Sequence, residues 1–130
     1  MNTFYHCHSS VAKWGGKPED YQAIHDFIDS SKAAMPDVRH RAVYHHALGI
    51  FLVEKIFGPA IVNSSGRGVP VREVAERHII EDLGFIPTVE DWLKCMPLTL
   101  TKWAGGHINF LLRNDVSVPR HIVEKVKGYK

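Results

Sequence analysis

Histidine and carboxylate side chains recur at helical spacing in this sequence, and both residue types can bind metals. His25 and Asp29 lie four residues apart, and His78 and Asp82 repeat that spacing. Residues four apart on a helix share a face. Imidazole and carboxylate donors suit zinc, iron, nickel or manganese. The spacing therefore predicts two His–Asp faces that could contribute to one metal site.

A third segment, which carries His45 and His46, would complete such a site if it faces inward. The predicted ligands of a divalent transition metal such as zinc are therefore His25, Asp29, His45, His46, His78 and Asp82. The alternative is structural: His46 bonds a carbonyl or Asp29 in the core, and His78 is half exposed. Buried polar groups of this kind pair without any metal. No short motif such as H-E-x-x-H is present, which favours the structural alternative.

Two further histidine arrangements deserve comparison with known chemistry. His6 and His8 alternate along the chain, so in an extended segment they would point the same way and could chelate together. The alternative is an exposed, unstructured pair near the terminus. His25 and Asp26 superficially resemble the dyad of His-Asp phosphohydrolases, but no earlier helical His or later Asp is suitably placed. Asp26 is therefore expected to be a solvated helix residue.

Basic side chains next to a glycine-containing loop offer a possible anion site. The loop Ser64-Ser65-Gly66-Arg67-Gly68 would present backbone amides and a guanidinium, which suit a phosphate. The predicted ligand-binding residues are Arg39, Arg41, Arg67 and Arg72. The alternative is a plain hairpin turn with solvated arginines, and the sequence carries no Walker-type Lys-Ser/Thr.

Neither cysteine forms part of a recognisable catalytic triad. Cys95 stands among apolar neighbours, which predicts a buried filler. The histidines that flank Cys7 are expected to lower its pKa, but one neighbour does not make a nucleophilic site. Trp14, Trp92 and Trp103 are expected to anchor the core or to line a pocket or an oligomer interface.

The elements that would position these residues are mainly helical. The sequence predicts a short helical turn over residues 11–14 and helices over residues 18–34, 38–57, 71–83, 88–95 and 117–127, with a β-hairpin over residues 60–71. The segment 38–57 is apolar on most of its circumference, which is typical of a central core helix. The predicted fold is a small, mainly α domain of about five helices with an inserted short β-hairpin.

Length and composition indicate one globular domain over residues 1–130. The chain has 45% hydrophobic residues and a formal net charge of +2, from 16 basic and 14 acidic side chains. This balance disfavours a dedicated nucleic-acid binder. No apolar run is long enough for a membrane helix, and two cysteines make no disulfide framework. A cytoplasmic location is expected.

Four segments of the sequence resemble an uncharacterised family of short phage and bacterial proteins, a domain of unknown function. They are residues 9–21 (SSVAKWGGKPEDY), residues 39–41 with His45 and His46, residues 49–51, and residues 69–72 running on to His78, residues 81–84 and residues 86–88. The resemblance spans about residues 6–92. It implies a phage or bacterial origin, and it implies no activity.

Three functions compete on this evidence. The first is a non-enzymatic phage-associated or bacterial binding protein, such as a counter-defence inhibitor or a module that sequesters a nucleotide signal. Its partner would be a protein or a small phosphorylated ligand. The second is a metal-binding protein or a metal-dependent hydrolase. The third is a structural or assembly component of a virion, for which homo-oligomerisation would matter.

Overall fold

Six α-helices and one β-hairpin make up the part of the chain that the structure, a computed structural model, describes: residues 1–95. In chain order the elements are α1 (Thr3–Trp14), α2 (Glu19–Ile28), α3 (Arg41–Tyr44), α4 (Ala47–Phe57), β1 (Ala60–Val62), β2 (Gly68–Pro70), α5 (Val71–Leu83) and α6 (Val89–Lys94), with 3-10 turns at Ser30–Ala33 and Val38–His40. This confirms the mainly helical fold with a short hairpin. The predicted helix 117–127 and Trp103 lie outside the described residues, and the single-domain extent of 1–130 stays a prediction.

The core lies where α2, α4 and α5 pack against one another, with α1 lying along α2. Its fully or nearly buried apolar side chains are Cys7, Trp14, Tyr21, Ile24, Ile28, Ile50, Val53, Val69, Val71, Val74, Ala75 and Ile79. Burying one large apolar side chain stabilises a fold by about 1.5–3 kcal/mol. The packing of these helices therefore stabilises the arrangement of the polar residues that lie between them.

The prediction of one long helix over residues 38–57 is wrong, because the helix is interrupted at His45 and His46, which separate α3 from α4. The backbone of His46 is extended, and its side chain caps α4 by accepting a hydrogen bond from the Gly49 amide at 2.9 Å. A Cβ atom on Gly49 would overlap the Tyr44 carbonyl oxygen, so the break requires glycine at that position. Helical periodicity continues across the break, which is why the sequence pattern did not reveal it.

Two boundaries near the N-terminus also differ from the predictions. Helix α1 begins at Thr3, where Asn2 caps it, instead of spanning only residues 11–14. His6 and His8 therefore lie on a helix, where His6 is buried and His8 is exposed, and the expectation of an extended chelating pair is wrong. Helix α2 ends at Ile28, so Asp29 occupies its C-terminal boundary.

The elements from the hairpin onward follow the predictions closely. Strands β1 and β2 pair antiparallel with Ile61 opposite Val69. Helix α5 ends at Leu83 and is capped by Gly84, whose φ of 82° is the left-handed conformation that glycine adopts without strain. Thr88 and Asp91 form the capping box that opens α6. None of the helices over residues 1–95 has the length and apolarity needed to cross a membrane.

Candidate metal centre

Four donor atoms from three separate segments converge in the interior of the described region. They belong to Asp29 at the end of α2, His45 at the α3–α4 break, and His78 and Asp82 one turn apart on α5. All four donor atoms lie within 4.8 Å of one another. We call these four residues the four-donor cluster.

Imidazole and carboxylate groups alternate around this cluster. His45 Nε2 lies 2.9 Å from Asp82 Oδ2 and 3.5 Å from Asp29 Oδ1. His78 Nε2 lies 3.3 Å from each of the same two oxygens. In tetrahedral zinc sites with bonds of 2.0–2.2 Å, neighbouring ligand atoms are separated by roughly 3.3–3.6 Å. Three of the four nitrogen–oxygen separations match that range, and the fourth is a few tenths of an ångström shorter.

The cluster is withdrawn from solvent. The side chains of His45 and His78 are 0% exposed, that of Asp82 is 1% exposed and that of Asp29 is 6% exposed. Burial by itself raises the pKa of Asp82, but hydrogen bonds from His45, His6 and His78 outweigh it and hold that pKa far below its usual range. Burial also acts to raise the pKa of Asp29, but the hydrogen bond from His78 and its charge outweigh burial and lower that pKa to about 2. Both carboxylates are therefore ionised and available as donors.

The two imidazoles respond differently to this environment. Burial lowers the pKa of His45. Burial also acts to lower the pKa of His78, but hydrogen bonds with Asp29 and Asp82 outweigh it and raise that pKa. His78 therefore stands between two carboxylates at a position that a positive charge stabilises.

A second group of ring nitrogens lies directly behind His78, and it belongs to His6 and His25. His25 Nδ1 lies 2.8 Å from His78 Nδ1, and His25 Nε2 lies 2.8 Å from Ser10 Oγ. The ring of His6 stacks on that of His78 with 3.6 Å between centroids. Burial, together with neighbouring histidines, lowers the pKa of His25 to about 3, so this ring is neutral. His25 thus supports His78 and does not join the four-donor cluster.

His46 is also separate from the cluster, because the protein uses both of its ring nitrogens. Nδ1 accepts from the Gly49 amide, and Nε2 donates to the Val43 carbonyl at 2.9 Å. Asp26 is exposed and accepts from Gln22, which agrees with its expected role as a solvated helix residue. Of the six residues predicted to bind a metal, the structure brings four together and places His25 next to them.

Sequence reasoning missed two polar residues near the cluster, Ser10 and His40. Ser10 follows His6 by four residues, so recognising that α1 extends to Thr3 would have placed both on one helix face. His40 donates from Nδ1 to the Asp37 carbonyl at 2.8 Å, and its Nε2 lies 3.6 Å from Asp29 Oδ1. No spacing signal links His40 to Asp29, since they belong to separate turns.

The predicted anion-binding arginines do not converge. Arg39 pairs with Asp37, and Arg67 and Arg72 are exposed. Only Arg41 approaches the cluster, with its Nη2 atom 3.7 Å from Asp82 Oδ1.

The loop between β1 and β2 already satisfies its own amides. Asp20 accepts from the Ser64 amide, and the Asn63 side chain accepts from the amides of Ser65 and Arg67. The Gly66 amide donates to the Asn63 carbonyl. These internal acceptors occupy the groups that the sequence offered to a phosphate, and a ligand role for Arg39, Arg41, Arg67 and Arg72 stays a prediction.

The two cysteines differ from their predictions. Cys95 is exposed, so the expectation of a buried filler is wrong. Cys7 is buried, and burial together with the charges of Asp26 and Glu19 raises its pKa to about 11, opposite to the expected effect of neighbouring histidines. His8 points to solvent on the helix and His6 faces the cluster, so neither supplies the expected activation. Cys7 is a structural thiol.

A family model described as Domain of unknown function (DUF6915) matches residues 1–104. No curated protein and no solved structure matches the chain. The matched range includes the whole four-donor cluster and confirms the resemblance seen over residues 6–92, whereas a phage origin stays a prediction. The chain therefore belongs to the family described as Domain of unknown function (DUF6915).

Proposed function

We propose that this protein binds one divalent transition-metal ion, best fitted by zinc, through Asp29, His45, His78 and Asp82. The observation that carries the proposal is the spacing of the four donor atoms, which alternate between nitrogen and oxygen at 2.9–3.5 Å. Two imidazoles and two carboxylates offer the nitrogen and oxygen donors that zinc accepts. Two carboxylate charges would also neutralise the charge of the ion.

The proposed site resembles structural zinc sites, in which protein side chains occupy every coordination position. Four protein donors would fill the four positions of a tetrahedral zinc ion, whereas catalytic zinc sites keep a position open for water or substrate. None of the four side chains is more than 6% exposed, which leaves the ion without direct access to solvent. We therefore favour a non-enzymatic protein whose metal joins α2, α5 and the α3–α4 break.

This proposal combines the first two functions expected from the sequence. It keeps the metal and the absence of catalysis, and the hydrolase alternative becomes the weaker one because it needs an open coordination position. Binding of a protein partner or of a phosphorylated ligand, and a role in virion assembly, stay predictions from the sequence.

The test is the metal content of the full chain produced without a histidine tag. Metal-free protein is incubated separately with zinc, iron(II), manganese and nickel, desalted and analysed by mass spectrometry. We expect close to one zinc per chain, and the variants Asp82→Ala and His78→Ala should lose it. His8→Ala, which removes an exposed histidine outside the cluster, is the matched control and should keep it. Retention below about a tenth of an equivalent for every metal would overturn the proposal.

A further inference from the structure

The side chains behind His78 form a hydrogen-bonded chain in which each proton can be placed. Ser10 Oγ lies 3.0 Å from the His6 carbonyl oxygen and 2.8 Å from His25 Nε2. His25 Nδ1 then lies 2.8 Å from His78 Nδ1. Ser10, His25 and His78 are all 0% exposed, so water does not compete for these bonds.

The donor and the acceptor of each hydrogen bond in this series follow from the hydrogen bond that Ser10 makes. A carbonyl oxygen can only accept, so the Ser10 hydroxyl must donate to His6. Its oxygen is then the acceptor for the His25 Nε2–H. The two Nδ1 atoms 2.8 Å apart share one proton, and His25, whose own N–H is on Nε2, is the acceptor. His78 must therefore donate to His25 from Nδ1.

This direction determines which atom of His78 faces the two carboxylates. With the proton held on Nδ1, a neutral His78 presents the Nε2 lone pair to Asp29 Oδ1 and Asp82 Oδ2, each 3.3 Å away. A lone pair that faces two anionic oxygens is repelled unless a positive species lies among them. In the metal-free chain, a proton on Nε2 that is hydrogen-bonded to Asp29 fills this place. A metal ion at the centre of the four-donor cluster would replace that proton and make ligands of all three groups.

We infer that Ser10 and His25 are positioning residues for the metal ligand His78, because they hold its proton on Nδ1 and leave Nε2 free to coordinate. The inference rests on the proposed metal site and adds to it the control of affinity from outside the coordination sphere. Metal-bound histidines commonly donate their second N–H to a protein acceptor, which fixes the tautomer and the ring orientation. Here the acceptor is a second histidine, which Ser10 in turn orients.

Zinc affinity measured by competition with a chromophoric chelator tests the inference. His25→Leu removes the acceptor for His78 Nδ1–H and should weaken zinc binding by about 10–100-fold, the usual effect of losing an outer-shell partner. His25→Gln keeps an amide oxygen that can accept the same bond and should recover most of the affinity. Ser10→Ala frees the His25 tautomer and should cause a smaller loss. Ser9→Ala is the matched control, because Ser9 lies beside Ser10 on α1 but its hydroxyl accepts from Arg77 of α5 and not from His25.

A second measurement determines the histidine tautomers directly. It uses the wild-type chain, so it does not require any variant to fold. Long-range proton–nitrogen correlation spectra of the wild-type chain should show His25 protonated on Nε2 with and without zinc. In the zinc-loaded chain they should show His78 protonated on Nδ1 and coordinated through Nε2.

The outcomes separate this inference from the proposed function. If zinc binds and His25→Leu keeps the wild-type affinity, or if His78 coordinates through Nδ1, the positioning role is overturned while the metal site stands. If no metal binds but His25 carries its proton on Nε2, the metal site fails and the positioning role falls with it, although the hydrogen bonds among Ser10, His25 and His78 are as described. A proton on His25 Nδ1 in the wild-type chain contradicts the positioning role in either case.

Discussion

Asp82 is the residue at which most of the polar contacts of the four-donor cluster meet. Its Oδ2 atom lies close to His45 and His78, and its Oδ1 atom lies 3.2 Å from His6 Nε2. One carboxylate thus contacts three buried imidazoles, two of which are proposed metal ligands. The free energy of these contacts depends on all of the partners staying in place, because each would otherwise be a buried polar group with no acceptor.

Replacing Asp82 by alanine should destabilise even the metal-free chain. Removing one partner from a buried, paired charge network costs about 3–5 kcal/mol, because the remaining groups stay buried without compensation. Urea denaturation in the presence of a chelator, followed by circular dichroism, measures the loss. Asp26→Ala, an exposed aspartate on α2, should change the free energy of unfolding by no more than about 0.5 kcal/mol. A loss below about 1 kcal/mol for Asp82→Ala would show that the network contributes little.

At the scale of the elements, the break between α3 and α4 is what brings His45 to the cluster. A continuous helix would carry His45 and His46 on adjacent faces, whereas the extended backbone of His46 turns the two rings to different partners. His45 reaches Asp82, and His46 caps α4. The break itself depends on Gly49, over which the Tyr44 carbonyl lies.

Gly49→Ala should therefore weaken both the fold and the proposed site. The added Cβ would overlap the Tyr44 carbonyl, and forced overpacking of this kind costs about 1–3 kcal/mol. Because relief requires the α3–α4 break to move, His45 should shift and zinc affinity should fall together with thermal stability. Gly68→Ala is the control, since a Cβ there meets nothing within 4 Å. Unchanged zinc affinity in Gly49→Ala would mean that the break does not position His45.

The carboxylate of Asp20 joins α2 to the hairpin turn and makes stability depend on pH. Hydrogen bonds from the Lys17 amide and then from the Ser64 hydroxyl and amide lower its pKa. A carboxyl with a lowered folded-state pKa contributes stability that is fully present above its unfolded pKa of about 3.9. That stability is lost as the pH falls through the lower, folded-state value.

Asp20→Asn should accordingly unfold at a lower urea concentration than the wild type at neutral pH. The difference between the two midpoints should persist down to a pH of about 4 and shrink below it, as the wild-type carboxyl takes up its proton. Asp26→Asn on the same helix is the control. A midpoint difference that grows on acidification would contradict the proposed role of the Asp20 charge.

At the scale of the whole molecule, the proposed ion connects parts of the chain that are far apart in sequence. Its ligands lie between residues 29 and 82, and they come from α2, the α3–α4 break and α5. An ion that binds only the folded state stabilises it by mass action. Both the apolar core and the bound metal would then stabilise the folded state of the described region.

Zinc should raise the thermal stability of the wild-type chain in a concentration-dependent manner. At free zinc of about 100 times Kd, the folded state gains about 2.7 kcal/mol. Thermal denaturation with zinc and with chelator measures the shift in Tm. Asp82→Ala should show the same Tm in both solutions, and His8→Ala should shift as the wild type does. A wild-type Tm that is insensitive to zinc would count against the metal centre.

The sequence by itself determined the features that depend on neighbouring residues. The capping box at Thr88, the glycine that ends α5 and the hairpin turn are local interactions, so their residues predict them directly. The same holds for the pairing of His78 with Asp82, because helical geometry alone puts residues four apart on one face.

Only the tertiary structure decided which histidine does what. The role of an imidazole depends on what its two nitrogens meet, and for His25 and His45 those partners include residues that no spacing rule connects to them. The break at His45 and His46 was equally hidden, because it depends on the approach of a backbone carbonyl to Gly49. Local periodicity specifies which face a residue lies on, and packing between segments specifies what that face meets.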